Sequence, residues 1–118
     1  MLEITADKIA HVILRARERS EDWALSRLAR GVRTELHDFI AGLNEDEQAS
    51  LVAVMWIGRD SFAAAELDEA IATARAEKTV PTEDYLIGEP QLADYLEAGM
   101  EALGMSPDAA EDAVMGRA

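Results

Sequence analysis

Cysteine is absent from the 118 residues, which excludes a disulfide framework, a thiolate zinc site and a cysteine nucleophile. Histidine occurs only at His11 and His37, in neither H-E-x-x-H nor E-x-x-H spacing, so no metal site is expected. Basic side chains number 11 against 24 acidic ones, a net charge of −13. Binding to a phosphate backbone gains its free energy from Lys and Arg displacing counterions, so direct nucleic-acid binding is not expected. No apolar run approaches the roughly 18 residues that cross a bilayer, which removes a membrane partner from the expectations. The start, Met1 to Lys8, has neither the basic nor the apolar segment of a secretory leader, and a cytoplasmic protein is the expectation. Glycine-rich phosphate loops are missing too, and no cofactor is expected. With three prolines and 49% hydrophobic residues, the composition favours helix over strand and order over disorder.

What is present is helical periodicity. The clearest segment is Leu43 to Asp60, where Asn44 and Glu47 have capping-box spacing and Leu51 to Ile57 is apolar without interruption. That pattern predicts a helix buried on all sides, with Gly58 stopping it in a left-handed C′ conformation. Thr5 is the N-cap of a first helix, with Ile4 and Ile9 as a hydrophobic staple and Ile9, Val12, Ile13 and Ala16 as its stripe. From Trp23 the apolar steps of three and four run to Leu43 and predict one long helix, with Gly31 as its weak point. A fourth helix is expected over Phe62 to Lys78, ended by Thr79-Val80-Pro81. A short turn capped by Thr82 comes next, and then a helix opened by Pro90 with Leu92, Leu96, Met100 and Leu103 inside. A short last helix from Ser106-Pro107 to Val114 completes an all-α, compact bundle of about five to six helices.

One domain over residues 1–118 is the expected organisation: an N-terminal helical segment at 1–33, a core at 34–104 and a short C-terminal helix at 105–118. Charge divides along the same line. Residues 1–33 hold seven basic and five acidic side chains, whereas residues 34–118 hold four and nineteen. The chain is long enough to bury roughly 65% of the surface that it exposes when unfolded, so it needs no staple.

No residue set is assigned to catalysis. The serines lie in caps or on helices without a strand-to-helix elbow, and pairs such as Asp94 and Glu97 are commonplace in so acidic a chain. The best candidate surface for a ligand joins two glycine-containing turns and comprises Trp56, Arg59, Asp60, Tyr85, Asp94 and Tyr95. There Arg59 could clamp a carboxylate or phosphate and the tyrosines could offer hydroxyls. Equally, Arg59 could pair with Asp60 or Asp94 and the tyrosines could serve only packing. Trp23, Leu25 and Leu28 form an apolar stripe suited to a contact with another chain.

Glu35-Leu36 with Phe39-Ile40, Leu43 through Ala49, Met55-Trp56-Ile57-Gly58-Arg59 with Phe62, and Tyr85-Leu86 through Glu97 together resemble the bacterial family called domain of unknown function 3775, over about residues 35–104. The resemblance implies a shared fold unit and brings no activity, cofactor or partner with it. Two functions fit the residues. One is a protein-interaction or regulatory module that self-associates and offers an acidic surface or an apolar groove to a protein partner. The other is a site for a small anionic ligand, or a minimal enzyme, around Arg59, Tyr85, Asp94 and Tyr95. An acidic mimic of nucleic acid also fits the net charge.

Overall fold

The computed structural model describes residues 2–21, with the side chains of 18–21 left aside, and residues 35–114. Within them lie seven α-helices: α1 (Ala6–Glu21), α2 (residues 35–41), α3 (Glu45–Gly58), α4 (Leu67–Ala76), α5 (Thr82–Ile87), α6 (Leu92–Ala102) and α7 (Pro107–Val114). No strand occurs among the described residues. The all-α expectation holds. The helix count is slightly higher than five to six because the turn after Pro81 closes into a full short helix, α5. No helix is long and apolar enough to cross a membrane.

α3 is the axis of the fold. Its start is fixed by the expected capping box: Asn44 Oδ1 accepts from the Glu47 amide at 2.7 Å, and Glu47 Oε1 accepts from the Asn44 amide at 3.1 Å. Two of the free amides at the helix start are thereby satisfied. Leu51, Val52, Ala53, Val54, Met55 and Ile57 are all buried. Trp56 is the exception to the expected all-round burial, with part of its indole exposed. One side of α3 packs along α6 and another on α4, while α1 packs on α6 and α7. The inner stripes follow the sequence periodicity: Ile9, Val12, Ile13 and Ala16 on α1, and Leu92, Leu96 and Met100 on α6, are all sealed from solvent.

Gly58 corrects the sequence reading. It is the last helical residue of α3, and the left-handed position falls two residues later, at Asp60 with φ 67°. The Asp60 amide donates to Ile57 O at 3.1 Å and the Ser61 amide to Trp56 O at 2.9 Å, the paired bonds of a Schellman ending with Asp60 at C′. Aspartate adopts that conformation more readily than most residues. Gly58 serves packing instead. A Cβ there would lie 2.7 Å from the Tyr95 carbonyl carbon and 2.8 Å from Gly99 N, and closer still to the Tyr95 oxygen. On the facing helix, a Cβ at Gly99 would lie 2.8 Å from Val54 Cγ1 and closer to Val54 O. Two glycines therefore let α3 and α6 touch backbone to backbone.

Three boundaries differ from expectation. The Phe62 to Lys78 helix is a 3-10 turn at Ala64–Glu66 followed by α4, because Ala63 holds extended geometry and its amide is taken by Glu66 Oε1 at 2.7 Å. α5 has Pro81 at its N-cap and no side-chain cap bond, so Thr82 is its first residue and is buried. Pro90 precedes α6 by two residues and lies in the turn before it. At the amino end, Thr5 Oγ1 does cap α1, accepting from the Lys8 amide at 3.3 Å. Residues 22–34, which include the Trp23, Leu25 and Leu28 stripe and Gly31, lie outside the described residues, as do residues 1 and 115–118.

Side chains hold the outer layers to α3. The Glu3 amide donates to buried Ser50 Oγ at 2.9 Å, and Gln48 Nε2 donates to Ile40 O at 3.0 Å, joining α2 to α3. Lys8 pairs with Glu47. That ammonium, together with the Asn44 amide, holds the Glu47 carboxyl below its ordinary value.

Candidate functional site

Six residues were expected to share a ligand surface, and the fold distributes them over more than one place. Trp56, on α3, and Tyr85, on α5, meet: the indole Nε1 donates to the Tyr85 hydroxyl oxygen at 2.9 Å. Phe62 stacks on Trp56 with ring centroids 5.8 Å apart and an interplanar angle of 21°. Arg59 turns to Ser61, donating from Nε to Oγ at 3.0 Å, and makes no ion pair with a described residue. Asp60 is the left-handed residue of the same turn. Tyr95 is half-buried against the core, and its carbonyl is the group that Gly58 admits. Asp94 is exposed and lends its charge to Arg17.

The Trp56 and Tyr85 pair forms one wall of a groove of about 180 Å³ between α3, the end of α4 and α5. Val52 and Ala74 line it from α3 and α4, and Lys78, Thr79 and Val80 from the connection to α5. It continues past Lys78 into a polar trough beside Glu45, Gln48 and Arg75, and into a shallower one at Pro81 and Glu83. Val80, at 48% exposure, and Tyr85, at 38%, are the exposed large hydrophobic residues of the described chain. Both stand on this groove. Arg75 is already engaged by Asp46, which leaves Lys78 as the cation facing the rim carboxylates Glu45, Glu77 and Glu83.

Of the residues that line this groove, the candidate ligand surface read from the sequence included Trp56 and Tyr85 and left out Val52, Ala74, Lys78, Thr79 and Val80. The Thr79-Val80-Pro81 segment was legible as a helix end. An exposed valine beside a lysine in a connection was the remaining signal, and it was too common to stand out.

A second cluster of charged groups joins α1, α6 and α7. The Arg17 guanidinium donates to Glu97 and, at 3.0 Å, to Glu111 Oε1. One oxygen each of Glu97, Asp108 and Glu111 lie within 4.8 Å of one another. Glu111 is buried, and its Oε2 has no hydrogen-bond partner. Burial, with Glu97 alongside and against the pull of Arg17, pushes the Glu111 carboxyl up to about 7. Burial works against the Arg17 charge, yet Glu97, Glu111 and Asp94 together raise its affinity for the proton. The two histidines join neither place: His11 packs on Phe39 with ring centroids 4.1 Å apart, and His37 lies near Asp38 and Asp84 at the surface.

No curated protein and no solved structure matches the chain. The family model described as protein of unknown function, DUF3775, matches residues 33–105, from α2 through α6, and the chain belongs to that family.

Proposed function

We propose that this protein is a small interaction module whose groove between α3, α4 and α5 receives a basic amphipathic segment of a partner protein. The observation that carries the reading is the convergence of Val80, Tyr85 and Trp56 on one groove. Large apolar groups stay exposed at a cost in hydration, and clustered in a concavity they mark a place where another surface covers them. An apolar side chain of the partner fills the space between Val52, Trp56 and Val80. Glu45, Glu77 and Glu83 then face its basic flanks, and the net charge of −13 steers such a segment toward the chain. Lys78 donates to the partner's backbone carbonyls. The alternative anionic-ligand site around Arg59, Tyr85, Asp94 and Tyr95 has less support, because Asp94 stands near Arg17 and Arg59 is turned to Ser61.

The test uses a panel of peptides with one central Leu, Phe or Trp flanked by Lys and Arg, titrated into isotope-labelled protein. We expect shifts centred on the Trp56 indole N–H, Val80 and Tyr85, binding that weakens as salt is raised, and at least tenfold weaker binding by Val80→Asp. Val80 is exposed in a connection, so Val80→Asp should leave the melting temperature nearly unchanged, whereas Tyr85→Ala also removes the acceptor of the Trp56 indole N–H and should lower it modestly. Shifts centred elsewhere, or equal binding of Asp- and Glu-flanked peptides, would remove the reading. If Val80→Asp instead lowers the oligomer mass of the free protein, the occupant is a second copy of the chain.

A further inference from the structure

We infer that Arg17, Glu97, Asp108 and Glu111 form a pH-operated latch, which holds α7 on α1 and α6 while Glu111 carries a proton and slackens when that proton leaves. The geometry is a count of donors and acceptors. Three carboxyl groups, from α6 and α7, crowd within 4.8 Å, and the described cation among them is Arg17 of α1, which contacts two of the three. Glu111 Oε1 accepts from Arg17, and Oε2 is sealed from water with nothing to accept from. A buried carboxylate oxygen without a donor is costly. Carrying a proton turns the carboxyl group into a donor, with Glu97 as the neighbouring acceptor. Removing the proton leaves two like charges side by side and Asp108 adding to the repulsion, the arrangement in which paired carboxyls resist full ionisation.

Among the described residues, the groups that face Glu111 are Arg17 from α1, Glu97 from α6 and Asp108 from α7 itself, with Asp94 of α6 acting on Arg17. The Glu111 carboxyl titrates near 7, so the change falls in the physiological range. The sign follows from linkage. The folded state keeps a proton between pH 4.5 and 7 that the unfolded or undocked state has lost, so docking of α7 weakens as pH rises through that window and is constant above it. The consequence is local. α7 packs mainly on α1 and more lightly on α6, with Pro107, Ala110 and Glu111 buried and Val114 half-buried, so the electrostatic change acts within the seam that holds this helix. Slackening α7 bares the α1 face near Ala16 and leaves the helices of the family unit in place.

Amide hydrogen exchange on the full chain from pH 5.5 to 8.5, corrected for the intrinsic pH dependence, reads the latch directly. Protection of residues 107–114 should fall by up to about tenfold between pH 6 and 8, most of it below pH 7, while that of α3 stays level. Glu111→Gln, which cannot ionise, should hold the low-pH protection throughout. A wild-type α7 whose protection is flat with pH, or a Glu111→Gln profile identical to wild type, would overturn the inference. A carbon-detected titration of the Glu111 carboxyl needs no variant: a midpoint near 7 is expected, and one below 5 is incompatible with the latch.

Discussion

Gly58→Ala and Gly99→Ala are each expected to destabilise the fold by about 3 kcal/mol or more, at the upper end of what overpacking does. The added methyl meets backbone in both cases, the Tyr95 peptide and Gly99 N for the first and Val54 for the second, and backbone atoms of packed helices cannot swing aside as a side-chain end does. α6 must therefore move away from α3. That displacement opens gaps along Leu51, Val54 and Met55 on one helix and Leu92, Leu96 and Met100 on the other, all sealed at present, and each gap forfeits dispersion contacts. The double variant should cost clearly less than the two single effects added, because a separation that admits one methyl largely admits the other. Gly88→Ala is the control. Its φ of −70° suits alanine and the nearest atoms to a Cβ are 3.5 Å away, so it should be neutral or stabilising by up to about 1 kcal/mol through the unfolded chain. Urea midpoints at constant m-value measure all four. A Gly58→Ala protein as stable as wild type would show that α3 and α6 do not meet at these residues.

The glycine contact also shows where sequence reading stops. Much that depends on neighbours along the chain was legible: the Asn44 and Glu47 box, the Thr5 cap, and the inner stripes of α1 and α6. These follow from helical period and from the hydrogen bonds of one turn. Gly58 was readable only as a stop signal, since its reason is a residue 41 positions away on another helix. The groove shares that origin. Trp56 and Tyr85 are 29 residues apart, and no local pattern says that a connection after α4 will lay Val80 beside them. Arg17 reaches partners 80 and 94 residues distant. In a chain with 24 acidic residues, Glu97 and Glu111 carried no signal of their own until the helices placed them around one guanidinium.

Leu96→Ala should destabilise the protein by about 3 to 5 kcal/mol, the range for truncating a fully buried leucine whose surroundings cannot collapse. Leu96 has no exposure and belongs to the main cluster that α1, α3 and α6 share, so its cavity is walled by three helices, with Arg17 and the close glycine contact restricting how far they close. The loss is a large part of the 5 to 15 kcal/mol that holds a domain of this kind together. Leu96→Met conserves volume and should cost less than about 1.5 kcal/mol. Ile71→Ala belongs to a different case. Ile71 sits with Ala49, Ala53 and Ala70 in a separate, smaller cluster that fastens α4 to α3, and α4 has room to settle over the gap, so the cost should fall near 2 kcal/mol. The two variants should also differ in what they disturb. Weakening α4 loosens Ala74 and the Lys78 to Val80 connection, so Ile71→Ala should lower amide protection in α4 and weaken groove binding well below the unfolding transition. Leu96→Ala should lower protection in α1, α3 and α6 together. Equal losses of stability with one shared exchange profile would mean a single cooperative core, with the groove wall no looser than the rest; distinct profiles would place the groove on the element of the fold that opens first, which is where the proposed docking of a partner's side chain would need freedom.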